Sequence, residues 1–205
     1  MDFDQKAKDW DIDPHRVERA KRFAGEIISL LGNKKYEHAL EFGSGTGLVS
    51  FQLINHFKKI TLADTSQGMV DVLKEKIRKE NISNMVPLLT DIFKENILGH
   101  NFDSIYTLLT LHHIKDIGKT FEIFNSILKK GGSLFIGDLV TEDGSFHFRD
   151  PEFDGHKGFD TEEMKKLMIR KGFEITGEKI FTVIEREVNN EVKKYPLFLL
   201  AGRKK

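Results

Sequence analysis

The chain has 205 residues, 39% of them apolar and 17 of them Phe, which is enough for one domain with a sizeable core. Its 32 Lys and Arg balance 32 Asp and Glu, so no global field steers it toward nucleic acid or an anionic membrane surface. It contains no Cys, which excludes a disulfide framework, a thiolate zinc site and a cysteine nucleophile.

The opening run Met1 to Trp10 is charged and lacks an apolar stretch of signal-peptide length, and no later stretch reaches the length of a bilayer span. A cytoplasmic protein is expected. Trp10 and Asp11 come before the first helix, and their segment reads as a lid over a bound ligand, with Trp10 alternatively an anchor of that helix. Asp13 followed by Pro14 opens a helix in the cap-then-proline arrangement. Val17, Ala20, Ala24, Ile27, Ile28 and Leu31 give it one apolar face, and Gly32-Asn33 ends it. Residues 1–34 are thus an N-terminal helical segment, and 35–205 the main unit of a single domain.

Ala39 to Ser50 reads A-L-E-F-G-S-G-T-G-L-V-S: a strand, a tight turn with alternating Gly43, Gly45 and Gly47, and a helix start. The glycines let a ligand approach main-chain N–H groups, and the start of the next helix favours an anionic group. Leu48, Phe51, Gln52, Ile54 and Phe57 fit a short buried helix. Lys59 to Asp64 reads as the second strand, and Ser66 caps a helix striped by Met69, Val70, Leu73 and Ile77. Val86 to Thr90 makes a third strand before Asp91, and Phe102 to Leu111 a fourth, with His112 and His113 just past it. A helix through Ile117, Phe121, Phe124 and Leu128 leads, by Lys130-Gly131-Gly132, to a fifth strand at Ser133 to Asp138. The polar stretch Thr141 to Gly158 is long for a loop, as functional loops tend to be. A helix from Thr161 precedes two strand-like runs, Phe173 to Ile184 and Tyr195 to Ala201, joined through Glu185 to Lys194.

Five strand–helix alternations followed by a hairpin argue a doubly wound α/β sheet, mostly parallel, whose ligand site lies beyond the carboxyl ends of the strands. Glu41, Gly43, Asp64, Asp91, His112 and Asp138 collect there. A nicotinamide-dependent oxidoreductase also uses a glycine turn and an acid roughly 20 residues on, so Asp64 does not discriminate. Two other features do. The spacing here is G-x-G-x-G, with Leu48 where the dinucleotide fingerprint needs a small residue, and Glu41 repels a pyrophosphate while welcoming an amine or sulfonium.

E-F-G-S-G-T-G, followed by Asp64 and by T-D-I-F, resembles the class I S-adenosylmethionine-dependent methyltransferase family. The likeness extends through F-D-S-I-Y-T-L-L-T-L-H-H-I, L-K-K-G-G-S-L-F-I and the closing strand pair, and is nearest to the small-molecule branch that includes ubiquinone-type enzymes. The resemblance implies a Rossmann-like seven-stranded sheet with an antiparallel C-terminal hairpin, S-adenosylmethionine as cofactor and S-adenosylhomocysteine as product. It implies that Glu41, Gly43, Ser44, Gly45 and Gly47 hold the methionine end, that Asp64 with Thr65 takes the ribose, and that Asp91 faces the adenine amine. Met69, Ile92 and Leu108 complete the cofactor wall. Asp91 also reads as a helix cap, and Met69 and Ile92 as plain core.

Methyl transfer from a sulfonium needs alignment and exclusion of water, with a base only where the acceptor must lose a proton. His112 is the first candidate base, with a local hydrogen-bonding role as the other reading. His113 is expected to point elsewhere, because neighbours in extended chain face opposite ways. His147, with His156, is a candidate for the acceptor pocket or else part of a solvated loop. No metal is expected, since the histidines lack ligand spacing. The expected partner is a small-molecule acceptor of unspecified identity. Scattered basic pairs such as Lys34-Lys35 give no nucleic-acid groove, no membrane span is expected, and the oligomeric state is left open. A non-catalytic cofactor-binding regulator is the remaining alternative.

Overall fold

The computed structural model describes residues 3–32, 35–94 and 101–205. The expected boundary at 34/35, and Asn33 and Lys34 with it, therefore touch residues outside that description.

One seven-stranded sheet organises the chain. Its strands are β1 (Tyr36–Phe42), β2 (Phe57–Asp64), β3 (Met85–Leu89), β4 (Phe102–Leu108), β5 (Leu128–Leu139), β6 (Phe173–Val188) and β7 (Glu191–Lys204). They run in the order β3-β2-β1-β4-β5-β7-β6, with β7 antiparallel to both neighbours and the remaining pairings parallel. This is the expected fold class. Period-two alternation sends successive residues to opposite faces, each of them covered. Ala39, Leu62, Tyr106, Phe135 and Leu199 join one buried cluster with Phe23 and Ile27 of α2 (Pro14–Leu31), whereas Leu40, Ile105, Ile136 and Phe198 join the other. That second cluster takes in Phe121 and Phe124 of α5 (Ile117–Ile127) and Met164 and Met168 of α6 (Thr161–Arg170).

The cap signals hold. Asp13 accepts from the His15 N–H, Gly32 closes α2 at φ 67° with its N–H on Ile28 O, and Ser66 Oγ accepts from the Met69 N–H at the start of α4 (Gln67–Lys79). A short helix α1 (Phe3–Lys6) and a 3-10 segment over Ala7–Ile12 come before α2.

Four local expectations change. The helix after the glycine loop is a single turn, α3 (Ser50–Leu53), because Phe57 belongs to β2. So short a helix sums too few peptide dipoles to make an anion site. β4 stops at Leu108 rather than Leu111, because Leu109 takes φ 52° to donate its N–H to Gly137 O at 2.7 Å. The next residues, Leu111–His113, form a 3-10 turn. Lys130 to Gly132 lie within a longer β5, and the register against β4 shifts there. The expected long turn Glu185 to Lys194 shrinks to Asn189 and Asn190, both at positive φ, as a two-residue hairpin turn on twisted strands requires.

Gly137 of β5 sets how closely α2 approaches the sheet: a Cβ there would lie 2.7 Å from Phe23 Cε2 and 2.8 Å from Leu108 Cδ1. Gly137→Val should therefore displace Phe23 and cost about 1–3 kcal/mol, read as a lower denaturant midpoint at unchanged m-value, whereas Gly25→Ala, with nothing near its Cβ, should cost no stability.

Candidate functional site

At the carboxyl edge of the sheet, where the order reverses between β1 and β4, lies a cavity of about 880 Å³. Its two ends differ in chemistry.

One end is built from the glycine loop and the acids that close β1 and β2. Gly43 and Ser44 donate their N–H groups to Ala63 O at 2.9 and 3.1 Å, Gly47 donates to Ser44 O at 2.8 Å, and Gly45 donates to Asp64 Oδ2 at 2.7 Å. Four of the five N–H groups from Gly43 to Gly47 are thus turned into the protein rather than lined up as a row of free donors. What remains for a ligand is acceptors and room. Gly43 and Gly47 are enforced by packing, since a Cβ would strike the Thr110 side chain at the first and lie 2.8 Å from Leu73 Cδ1 at the second. Gly45 (φ 52°) has only Met69 Sδ within reach, at 3.8 Å, so its absent side chain is open space. Ser44 Oγ is buried without a hydrogen-bond partner.

Asp64 takes the Ser66 N–H on Oδ1 at 2.9 Å and the Gly45 N–H on Oδ2, with the Thr65 N–H as a third donor, which leaves acceptor capacity on the carboxylate. Burial, first among the causes, raises its pKa against these bonds. Glu41 is buried, and desolvation pushes its pKa up to about 8 against the donors from Ser50. Its Oε2 accepts the Ser50 N–H at 3.2 Å and the Ser50 hydroxyl, which also meets Tyr106 Oη at 2.7 Å. A carboxyl held at about 8 keeps its proton near neutral pH until a positive charge approaches it. Thr65, Met69 and Leu108 line the cavity, but the lining runs through Thr90, and Asp91 and Ile92 are not part of it. Asp91 instead accepts the Phe93 N–H at 3.0 Å and pairs with Lys94 at 3.1 Å, while Ile92 is buried in the second core cluster.

The other end is built from histidines. His112 is buried in the 3-10 turn after β4, with Nδ1 2.7 Å from Oδ1 of Asp138 and its N–H on Oδ2 at 3.2 Å. His113 does not point elsewhere, because the chain is not extended there: the two rings lie 4.1 Å apart, centroid to centroid. His147, expected in the acceptor pocket or in a solvated loop, is buried at 8% exposure, 5.1 Å from the His112 ring and stacked on Phe153 at 3.7 Å. Neither of its ring nitrogens has a hydrogen-bond partner. Desolvation first, then the neighbouring imidazoles, lowers His113 to about 3 and His147 to about 4. His156 stands aside, its Nε2 2.9 Å from Ile114 O and its N–H on His112 O. Lys6, Arg16, Arg19, Arg149 and Arg186 also reach the cavity, against Asp13, Asp150 and Glu187. Burial, then the Arg186 and Arg16 charges, lowers Arg19 to about 10 although Asp13 opposes the shift.

The N-terminal segment roofs both ends. Asp4 accepts from Ser66 Oγ and the Gly68 N–H, and Asp11 accepts from Thr46 Oγ1 and from Lys76 Nζ at 2.6 Å. Phe3 sets its ring edge-on to Trp10 and to His113, and Arg16 lies 4.0 Å over Trp10. The sequence pointed to this segment as a lid but not to its pairings, which are long-range, nor to the Glu41–Ser50–Tyr106 chain, whose one signal is a Ser at the start of the helix.

Residues 40–136 match the family described as a methyltransferase domain. An uncharacterized methyltransferase of Schizosaccharomyces pombe is 35% identical over 115 residues, which cover 53% of this chain and 40% of that protein, so the chain spans well under two thirds of that relative. Among solved structures, the methyltransferase in a complex with the Trm112 methyltransferase activator of Haloferax volcanii aligns at a TM-score of 0.80 and 14% identity over 98% of this chain and 97% of that one. Haemonchus contortus phosphoethanolamine N-methyltransferase 2, in complex with S-adenosylmethionine, aligns at 0.68 and 16% identity over 87% of this chain and 51% of that one. At such identities the structures establish the methyltransferase fold.

Glu41 makes stability depend on pH in a definite sense. Its folded pKa, about 8, lies above its ordinary 4.5. The native state therefore holds the proton more tightly, and its advantage is full below about pH 4.5 and lost as pH rises through 8. Glu41→Gln should flatten that decline and melt higher than the wild type at pH 9, by an amount on the order of a few kcal/mol, in thermal scans from pH 5 to 9.

Proposed function

We propose that this chain, a member of the class I S-adenosylmethionine-dependent methyltransferase family through residues 40–136, binds S-adenosylmethionine and transfers its methyl group to a small anionic acceptor. The observation that carries the reading is that the glycine loop turns its N–H groups inward and presents acceptors, Asp64 and Glu41, with open space at Gly45. A pyrophosphate needs free donors, whereas an ammonium, a sulfonium and a ribose diol need acceptors. The unpartnered Ser44 hydroxyl supplies one further polar contact.

S-adenosylmethionine, when bound, supplies an electrophilic methyl on a positively charged sulfur. The protein's share is position, field and proton. Asp64 has lone pairs left for ribose hydroxyls, each charge-assisted bond worth roughly 1.5–3 kcal/mol. Glu41 loses its proton to balance a bound cation, because an adjacent positive charge lowers the pKa that burial had raised. Met69, Thr65, Thr90 and Leu108 line the same wall. His112, oriented through Nδ1 by Asp138, turns Nε2 to accept an acceptor's proton. His147 is the second candidate, a weaker base because it is held neutral down to about pH 4. The segment at residues 3–13 closes the cavity as a lid. Outside the loop acids Glu41 and Asp64, five cations (Lys6 and four arginines) face three acids, a balance that favours an acceptor with a carboxylate or phosphate.

Isothermal titration with S-adenosylhomocysteine tests the site: micromolar affinity is expected, and Gly45→Val and Asp64→Ala should each weaken it at least about tenfold, or 1.4 kcal/mol. Unchanged affinity in both variants removes the assignment. Thermal stabilisation by NAD and none by S-adenosylhomocysteine would favour the oxidoreductase alternative. Methyl transfer to a panel of carboxylated and phosphorylated acceptors, with loss of turnover in His112→Asn at unchanged cofactor affinity, separates an enzyme from a cofactor-binding regulator.

A further inference from the structure

The histidine end holds more than a base requires. His112, His113 and His147 each present one ring nitrogen, and the three nitrogens lie within 4.8 Å of one another; among the described residues no other group of three or more potential ligands meets that condition. The three come from two separate places, the turn after β4 and the loop after β5, so the fold and not local sequence assembles them.

We infer that His112, His113 and His147 form a mononuclear site for a divalent transition-metal ion, with zinc the leading occupant. Three imidazoles with a fourth position open toward a cavity is the arrangement of a catalytic rather than a structural zinc site, and all three histidines line this cavity. The supporting residues fit that role. Asp138 holds Nδ1 of His112 at 2.7 Å, which leaves Nε2 as the donor in a carboxylate–histidine–metal relay; with the ion bound, that nitrogen no longer takes up a proton, so the base role of His112 belongs to the metal-free site. Phe153 fixes the His147 ring by stacking, and Phe3 meets His113 edge-on, so two donors stand in an apolar shell. Both nitrogens of His147 are buried without a partner, an arrangement that leaves lone pairs unused unless a ligand takes one. Arg186, the nearby cation, is drawn off by Phe146 O at 2.7 Å and the Phe146 ring at 3.8 Å. Metal–nitrogen bonds of about 2.0–2.1 Å put tetrahedral ligands about 3.3 Å apart, so binding draws the rings together by rotation about their side-chain bonds. The open position is where an oxygen of an anionic acceptor would bind. Imidazole donors suit zinc, and also cobalt and nickel, over magnesium or calcium.

The test uses the full chain with any affinity tag removed and metal stripped by chelation. Calorimetry with zinc should show one equivalent bound at about micromolar affinity or tighter, whether or not S-adenosylhomocysteine is present; this separates failure here from failure of the cofactor reading. His147→Phe, which preserves the ring on Phe153, should weaken binding at least tenfold, and Asp138→Asn by a smaller factor. His15→Ala, at an exposed site, should leave it unchanged. Cobalt supplies a readout on the wild type alone: proton NMR of the cobalt form should show hyperfine-shifted resonances from three imidazoles. No stoichiometric binding, equal affinity in His147→Phe, or shifted resonances from fewer than three imidazoles would each overturn the site.

Discussion

The approach of Gly43 to Thr110 decides the geometry of everything above the sheet. β1 and β4 are neighbours that lead away in opposite directions, one into the glycine loop and the other into the histidine turn. They stay close at the exit because Gly43 has no Cβ to strike Thr110, whose hydroxyl turns back to Leu108 O at 3.1 Å with Gly43 O a longer 3.4 Å away. From that pinch the two walls diverge, and the cavity is the space between them. A side chain at position 43 would wedge the walls apart at their base, with a larger effect further up.

The two walls meet ligands by opposite means. The loop wall is poor in free donors because Ala63 O, Ser44 O and Asp64 take up its N–H groups, which makes it rigid and rich in acceptors. The histidine wall is rich in lone pairs because burial keeps His113 and His147 uncharged. Cations and hydroxyls suit the first; electron-pair acceptors suit the second. Arg186 sits toward the second wall, on the Phe146 ring and close enough to His147 to help keep it neutral.

Elements encoded by neighbours in sequence were legible: the period-two strands, the Asp13-Pro14 and Ser66 caps, the Gly32 stop and the order of acids at the strand ends. Features set by contacts between distant segments were not. Nothing in the chain order marks Leu109 as the point where β4 breaks, because its positive φ is stabilised by a bond to Gly137 on another strand. That break turned two histidines expected on opposite sides into neighbours. His147 reads as one polar residue in a polar loop until the His156 N–H on His112 O and the Thr141 N–H on Phe159 O fold that loop back over the turn. The raised pKa of Glu41 was hidden for a related reason: residue type gives an ordinary acid, and only its complete burial makes it a reluctant one. The spacing between Glu41 and Ser50 held the information, but its meaning depended on a helix only one turn long.

The clasp at the N-terminus ties these walls together in a further way. Asp4 and Asp11 hold the segment to Ser66, Gly68, Thr46 and Lys76 on the loop side, while Phe3 leans on His113 across the gap. One short stretch of backbone thus acts as a crossbar between the two sides. Both ends of the cavity therefore share one roof, and the side chains that fasten it lie on the loop wall while its aromatic edge rests on the histidine wall.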